Sequence, residues 1–389
     1  MPKLIRVTTV PMALKYLLAG QMKYMKQNGF DVLMVSADGI EREGVIRNEG
    51  IPHIIIPMTR KITPFADLKS LWLLYKLFVS EKPDIIHSHT PKAGLLAMLA
   101  GKLAGIKIRV HTVAGLRFVT ATGKTRSLLV QMEKLTGRWS TNVWPNSFSM
   151  RDYILEHKLA PVKKIKVIGL GSSNGIDLTR FSTASLRQDR LDHVKLLMRY
   201  DKDLQYLLCV GRIVQDKGIE ELTLAFTRLY EENNRLRLVL VGTFEDELDP
   251  VNEETRKTLT SHPGVILTGW SDEVEYFMHL SFALIHPSHR EGFPNVLLQA
   301  GAMLCPAICS RIDGNIDIIE HGSTGLIFNV KDKEDLYAKI RFALQFPDKV
   351  KEYAHRLRVK IEQHFDQKVV HRRVEEAYRQ LLESQGSKL

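Results

Sequence analysis

Apolar β-branched runs separated by helical segments occur in two series along this chain, and that repetition constrains the fold more than any other feature. Leu4–Val10 is a β-rich run, after which Leu14, Leu17, Leu18, Met22 and Met25 recur at helical spacing. Asn28-Gly29 closes that helix, and Asp31–Ser36 reads as the next strand. Ile54–Ile56, a helix around Leu68–Val79, the run Pro83 to His87, then Ile106–Thr112 and Asn142–Trp144 continue the series. The pattern restarts after Asn174-Gly175-Ile176-Asp177, with strands at Tyr206–Val210, Leu236–Val241, Val265–Thr268 and Ala283–His286 and a helix near Glu220–Glu232. Near-continuous Val/Ile runs between helices predict parallel sheets covered on both faces. The chain therefore reads as α/β, with two doubly wound domains and ligands at the carboxyl ends of the strands. Its 389 residues exceed the ~250–300 at which single cores stop growing. The polar stretch Asp177–Arg199 has no strand period and puts the boundary near residues 170–200. His364 to Leu382 predicts a final helix with Val370, Val374, Tyr378 and Leu381 on one face. The expected units are 1–175, 176–365 and a terminal helical segment 366–389.

Hydrophobic residues make 44% and charged residues 25% of the chain, the balance of a soluble globular protein. Cys209, Cys305 and Cys309 are an odd, sparse set that fits a reducing compartment and no disulfide framework. The net charge of +11 is unevenly placed: residues 1–170 carry +15 and the rest −4. A basic first half suggests an anionic partner, whether a membrane surface, a pyrophosphate or a nucleic acid. The most apolar stretch, Leu71 to Val79, is nine residues long and contains Lys76, short of the ~20 needed to span a bilayer. Lys15 interrupts the only apolar run near the start, so no signal peptide is expected. A cytoplasmic protein follows, attached to the inner membrane face.

Two glycine clusters imitate nucleotide loops and fail on spacing. Gly123-Lys124-Thr125 ends like a P-loop, but Phe118 stands where the first glycine is needed. Gly169-Leu170-Gly171 lacks the third glycine of a dinucleotide loop, since Asn174 takes that position. Two other strings carry chemistry. Arg212 and Lys217 lie in Gly-Arg-Ile-Val-Gln-Asp-Lys-Gly, directly after the strand Tyr206–Val210. A forked guanidinium and a compact ammonium on one loop suit phosphate oxygens, and the following helix adds its N-terminal N–H groups. The second string is His289-Arg290-Glu291-Gly292-Phe293-Pro294-Asn295-Val296-Leu297-Leu298-Gln299, after the strand Ala283–His286. Glu291 sits on the loop, Gly292 admits close backbone approach, and Gln299 is expected two turns into the next helix.

These two strings, with His321-Gly322-Ser323-Thr324-Gly325-Leu326, resemble the family 4 glycosyltransferases, and bacterial capsule and O-antigen members among them. The likeness covers nearly the whole chain and is strongest over residues 205–330. It implies the GT-B architecture: two Rossmann-like doubly wound domains facing across a cleft, with a C-terminal helix crossing back to the first. It implies a retaining transfer from a nucleotide sugar, a UDP-sugar by family frequency, with no cofactor and no metal. Arg212 and Lys217 then correspond to the pair holding the donor diphosphate. Glu291 corresponds to the first Glu of the Glu-x7-Glu motif, and Gly292, Phe293, Pro294 and Asn295 to the loop whose amides meet sugar and phosphate. Gln299 stands where the family usually has its second Glu, losing a charge but keeping an acceptor. His111, in Val-His-Thr-Val-Ala-Gly, corresponds to the histidine near the reaction centre.

His87 and His89 share one face of a strand and, with Lys92, resemble the family's acceptor side. The first strand–helix loop, Thr8 to Ala13, lacks the glycine pair of many members. Arg117, Lys124 and Arg126 are expected on the acceptor side as well; Lys124, Arg126, Lys134 and Arg138 interleave with Leu128, Leu129, Met132 and Leu135, and a basic amphipathic segment of this kind suits an anionic bilayer. A lipid-pyrophosphate-linked glycan acceptor at the inner membrane surface is the resulting expectation, with an ordinary core helix as the alternative. A UDP-sugar epimerase or phosphorylase of similar architecture remains open. A nucleic-acid binder, suggested only by the pI of 9.4, is not expected.

Overall fold

The computed structural model describes residues 1–59, 61–116, 122–246 and 249–386. The chain forms two compact units, Met1–Gly175 with Gln367–Leu389, and Ile176–Asp366. In unit 1 the strands are β1 (Lys3–Val7), β2 (Asp31–Ser36), β3 (His53–Ile55), β4 (Ile85–Ser88), β5 (Ile108–Val113) and β6 (Asn142–Pro145). They form one sheet in the order β3-β2-β1-β4-β5-β6, and every pair is parallel. Helices Pro64–Glu81, Pro91–Leu103 and Gly123–Trp139 form one layer, the middle helix packed between the other two.

Strand β1 ends three residues earlier than its β-branched composition predicts. Thr8 Oγ1 donates to the Val10 carbonyl at 3.0 Å, and Pro11 opens a helix at Pro11–Leu17, as a residue without an N–H can. The glycine-free loop is filled by hydroxyl bonds to the loop after β4. Thr9 N donates to Thr90 Oγ1 at 2.9 Å, and the two hydroxyls lie 2.7 Å apart.

Unit 2 repeats the topology. Strands β7 (Gln205–Val210), β8 (Leu236–Val241), β9 (Val265–Gly269), β10 (Ala283–His286), β11 (Ala307–Ser310) and β12 (Leu326–Phe328) lie in the order β12-β11-β10-β7-β8-β9, all parallel. Counted from the first strand of each unit, both sheets have the doubly wound order with a reversal between the first and fourth strands. The hydropathy reading does not anticipate β11 and β12, which have four and three residues. The polar boundary stretch carries a helix at Gln188–Leu197.

The helix expected at His364 to Leu382 lies at Gln367–Ser384, after a separate helix not anticipated from the sequence. Pro347–His364 stops at Phe365, which is fully buried, and Gln367–Ser384 starts afresh. The break gives Ile176 a partner: its N donates to the Phe365 carbonyl at 2.8 Å. Val370, Val374 and Tyr378 are buried against Leu4, Leu14, Met22 and Trp144 of unit 1, with Leu381 packed beside them. Gly169, the glycine of the false dinucleotide loop, has φ +59°, and a Cβ there would lie 2.6 Å from Arg373 Nη1. That glycine serves the docking of this helix. Among the described residues, no helix is long and apolar enough to cross a membrane.

Candidate active site

In unit 2 the loops after β7 and β10 lie side by side, because those strands pair where the order reverses. Open α/β sheets bind ligands at that point. A row of contacts joins the two loops. Lys217 Nζ donates to Glu291 Oε1, Arg290 Nε donates to Asp216 Oδ2 at 2.6 Å, and His289 N donates to the Asp216 carbonyl at 2.8 Å. Gly218 makes the approach possible: its φ is +67°, and a Cβ would fall 2.1 Å from the Pro287 carbonyl oxygen. Gly314, at φ +82°, admits the Gly292 carbonyl in the same way, at 2.5 Å from where a Cβ would stand.

Glu291 is the centre of this arrangement. Besides Lys217, it accepts from Ser288 Oγ at 2.9 Å. His286 Nε2 is 3.4 Å from Glu291 Oε1 but is not aligned for a hydrogen bond. Burial opposes the carboxylate charge, but Lys217 and His286 outweigh it and hold the group well below the usual carboxylate range. Glu291 is therefore ionised at any working pH. Ser288 is itself held, its carbonyl accepting from Ser310 Oγ at 2.5 Å, and Asn315 Nδ2 donates to the Ser310 carbonyl at 2.9 Å.

Arg212 pairs with Glu245 at 2.6 Å, and both side chains are about two-fifths exposed, at 45% and 40%. Such a pair is worth only ~0–1 kcal/mol, so the guanidinium is easily exchanged onto a phosphate. Pro294 is the buried N-cap of the helix Asn295–Ala302, and neither this helix nor Ile219–Glu232 has a side-chain cap. Phe293 packs on Phe365, with ring centroids 5.4 Å apart. Gln299 is the fifth residue of a helix that starts at Asn295, little more than one turn in where two were expected. It is half-buried, and its amide has no hydrogen bond among the described residues. The motif at His321 is a turn into β12: His321 Nδ1 accepts from Ile327 N at 2.9 Å. The reading by motif did not find Asp216, Arg290, His286 or Ser288; their proximity to Arg212, Lys217 and Glu291 in the chain was the available signal.

Unit 1 has a second cluster at the carboxyl ends of β1, β4, β5 and β6. Arg6 Nη1 lies 2.6 Å from His87 Nδ1, 2.8 Å from His89 Nε2 and 2.7 Å from Tyr378 Oη. The two imidazole centroids lie 4.0 Å apart, with the rings tilted by 33°. His87 Nε2 is bonded to Thr112 Oγ1 at 2.7 Å. Both nitrogens of His87 are therefore engaged, and it has none left for an acceptor; it positions Arg6 and Tyr378. Arg6 is fully buried, and burial lowers its pKa against the opposing influence of Tyr378 and Glu49. His89 Nδ1, Asn146 Oδ1 and Ser173 Oγ have no partner among the described residues and belong to residues lining a cavity of about 20 Å³. That volume suits about one water, not a sugar ring.

Lys92 is likewise turned inward. Its ammonium donates to Asp67 Oδ1 at 2.6 Å and Thr63 Oγ1 at 3.2 Å, and also to the Lys61 carbonyl. It ties the start of helix Pro64–Glu81 to the loop after β4. Arg117 lies outside the described residues. Lys124 and Arg126 are exposed on the first turn of Gly123–Trp139.

His111 lies within β5, with Nδ1 2.8 Å from Ser88 Oγ. A Cβ on Gly94 would lie 2.4 Å from His111 Cε1, so that glycine seats the ring. Burial pulls the His111 pKa down to about 4, with Ser88 opposing. His371 is pulled down to about 3, and His87 and His89 also fall well below their ordinary value, burial being the main cause in each. These four rings are neutral in the fold and protonate on unfolding below ~pH 6.5. Their stabilisation is complete above that pH and falls as pH drops towards about 4. Unit 1 is therefore expected to lose stability across that window at ~1.4 kcal/mol per pH unit for each proton taken up, read as a falling thermal midpoint. A flat midpoint between pH 6.5 and 4.5 would contradict neutral burial.

Comparison with known proteins gives this geometry its family. Residues 17–171 match a glycosyl transferase 4-like domain and residues 199–364 match the glycosyl transferases group 1. Over 389 residues, 99% of each chain, the sequence is 34% identical to the capsular polysaccharide biosynthesis glycosyltransferase CapM of Staphylococcus aureus. The chain is a family 4 glycosyltransferase. This glycosyltransferase is also 27% identical, over 73% of each chain, to the Escherichia coli UDP-Gal:α-D-GlcNAc-diphosphoundecaprenol α-1,3-galactosyltransferase. Its fold matches the crystal structure of Anabaena HepE in complex with UDP-glucose with a TM-score of 0.81, at 18% identity, covering 98% of this chain and 100% of that one. The architecture is GT-B, as the motifs imply.

Proposed function

We propose that this glycosyltransferase moves a hexose or N-acetylhexosamine from a UDP-sugar, with retention of anomeric configuration, onto a lipid-pyrophosphate-linked glycan in surface polysaccharide synthesis. The Lys217–Glu291 pair at the strand reversal of unit 2 carries the reading. An ammonium and an ionised carboxylate sit side by side between two uncapped helix N-termini, so cationic and N–H groups are available to a diphosphate and an acceptor oxygen to sugar hydroxyls. The names of two relatives support the substrate class: the Escherichia coli enzyme and a Campylobacter jejuni diphospho-undecaprenol N-acetylgalactosaminyltransferase, 26% identical over 77% of this chain.

In this reading unit 2 holds the donor and unit 1 serves the acceptor. The bond from the sugar C1 to the diphosphate oxygen breaks, and a bond from C1 to the acceptor oxygen forms on the same face. The acceptor proton passes to the departing phosphate oxygen. Lys217 and Arg212 stabilise the charge growing there, a preorganised electrostatic contribution. No covalent glycosyl-enzyme is formed, and trapping one on Glu291 would overturn this step.

A thermal-shift and nucleotide-release panel of UDP-, GDP-, ADP- and TDP-sugars tests the reading. The expected result is a shift with one UDP-sugar that is lost in Arg212→Ala, and transfer only when a lipid-pyrophosphate acceptor is present. Interconversion of UDP-sugar isomers without an acceptor would assign an epimerase instead.

A further inference from the structure

Helix Pro64–Glu81 turns Ser70, Leu74 and Phe78 into the core of unit 1. Its opposite face is not polar. Phe65, Leu68, Trp72, Tyr75 and Val79 are exposed there, Phe65 at 90% and Trp72 at 53%. Their spacing puts them on one stripe along the helix. Single exposed apolar residues are ordinary, but a continuous stripe of this kind marks an interaction surface.

The charges beside the stripe have one sign. Both carboxylates of the helix are spent on other parts of unit 1, Asp67 on Lys92 at 2.6 Å and Glu81 on Lys3 at 2.9 Å. Lys69 and Lys76 have no carboxylate partner among the described residues. Lys76 Nζ lies 3.7 Å over the Trp72 ring. Across the intervening helix, Gly123–Trp139 belongs to the same layer, and there Leu128 and Leu135 are exposed beside Lys124 and Arg126.

We propose that this outer layer of unit 1 docks on an anionic lipid bilayer, with the Phe65–Val79 stripe at the headgroup boundary and the flanking lysines among the headgroups. A Trp and a Tyr between aliphatic residues, edged by lysines, are the composition of an in-plane interfacial helix. A second copy of the chain is a poorer occupant, because an antiparallel two-fold contact centred beside Trp72 would bring Lys69 of each copy towards Lys76 of the other. The stripe begins beside the loop that Lys92 ties to the end of β4, where an acceptor borne by the bilayer would be offered. Only that last consequence rests on the proposed function; the surface itself does not.

Sedimentation with vesicles of phosphatidylcholine, with and without phosphatidylglycerol, tests the proposal on the full chain. Wild-type protein is expected to bind the anionic vesicles and not the neutral ones. Phe65→Glu with Trp72→Glu is expected to weaken that binding at least ~10-fold, with an unchanged thermal midpoint. Lys69→Gln with Lys76→Gln keeps the stripe and is expected to remove most of the preference for anionic lipid. Equal binding of wild type to both vesicles, or wild-type binding by both variants, overturns the proposal. A dimer that the Glu variant dissolves, without vesicle binding, assigns the face to a second copy and also overturns it. Transfer to a detergent-soluble acceptor separates the two readings: it is expected to survive in the Glu variant. Vesicle binding by a protein with no transfer would refute the function and leave the surface standing.

Discussion

Replacing Glu291 with alanine is expected to lower turnover at least ~100-fold, the scale of a lost transition-state contact. The carboxylate is held ionised by Lys217, bonded to Ser288, and seated between the two loops that meet at the strand reversal. Glu291→Gln tests charge apart from shape, because the amide keeps the acceptor oxygen and loses the counter-charge for Lys217. It is expected to recover only a small part of the loss. Lys217→Ala is expected to match Glu291→Ala, and the double variant to be no worse than either single one, since groups acting as a unit are not additive. Steady-state rates with the donor identified by the panel, beside circular dichroism of each variant, check this. Turnover within a few-fold of wild type in both single variants would separate the pair from the chemistry.

Gly218→Ala is expected to cost ~3 kcal/mol of unit 2 stability or more, and to abolish donor binding in the fraction that folds. The position combines φ +67° with a Cβ placed 2.1 Å from the Pro287 carbonyl oxygen. Relief requires the β10 loop to retreat, and that loop carries Ser288, Arg290 and Glu291 towards Asp216 and Lys217. Gly269 is the control: its φ is +74°, but nothing lies within 4 Å of a Cβ there. Gly269→Ala is expected to cost only the ~1–2 kcal/mol of a left-handed residue, with donor affinity intact. Denaturant titration of both variants measures the difference. Equal costs would mean that the backbone angle, and not the contact between loops, requires glycine at 218.

The long strands and their order of appearance were legible because buried parallel strands are continuous runs of β-branched residues. Asp31–Ser36, Leu236–Val241 and Ala283–His286 fall where hydropathy puts them. Strands β11 and β12 were not, since Ala307–Ser310 and Leu326–Phe328 are too short to show a period. The loop strings bearing Lys217 and Glu291 were also legible, because their residue types and spacing reflect a ligand chemistry. Side-chain direction was not. Lys92 opens a helix and His87 lies near a strand end, and nothing local says that one turns to Asp67 and the other to Tyr378, which is 291 residues from His87. Helix Pro64–Glu81 is apolar on both faces, so its sequence does not distinguish Trp72, outside, from Leu74, inside.

The docking of Gln367–Ser384 into unit 1 has a consequence for the order of assembly on the ribosome. Unit 2 is one uninterrupted segment, Ile176–Asp366, whereas unit 1 needs the last residues of the chain to complete its core around Tyr378 and Val374. Domains ordinarily fold in the order of their synthesis. Of the two, unit 1 leaves the ribosome earlier and is finished later. The core around Leu4, Leu14 and Trp144 waits for Gln367–Ser384 throughout translation of unit 2, and damage to that helix falls on the unit that was made earlier.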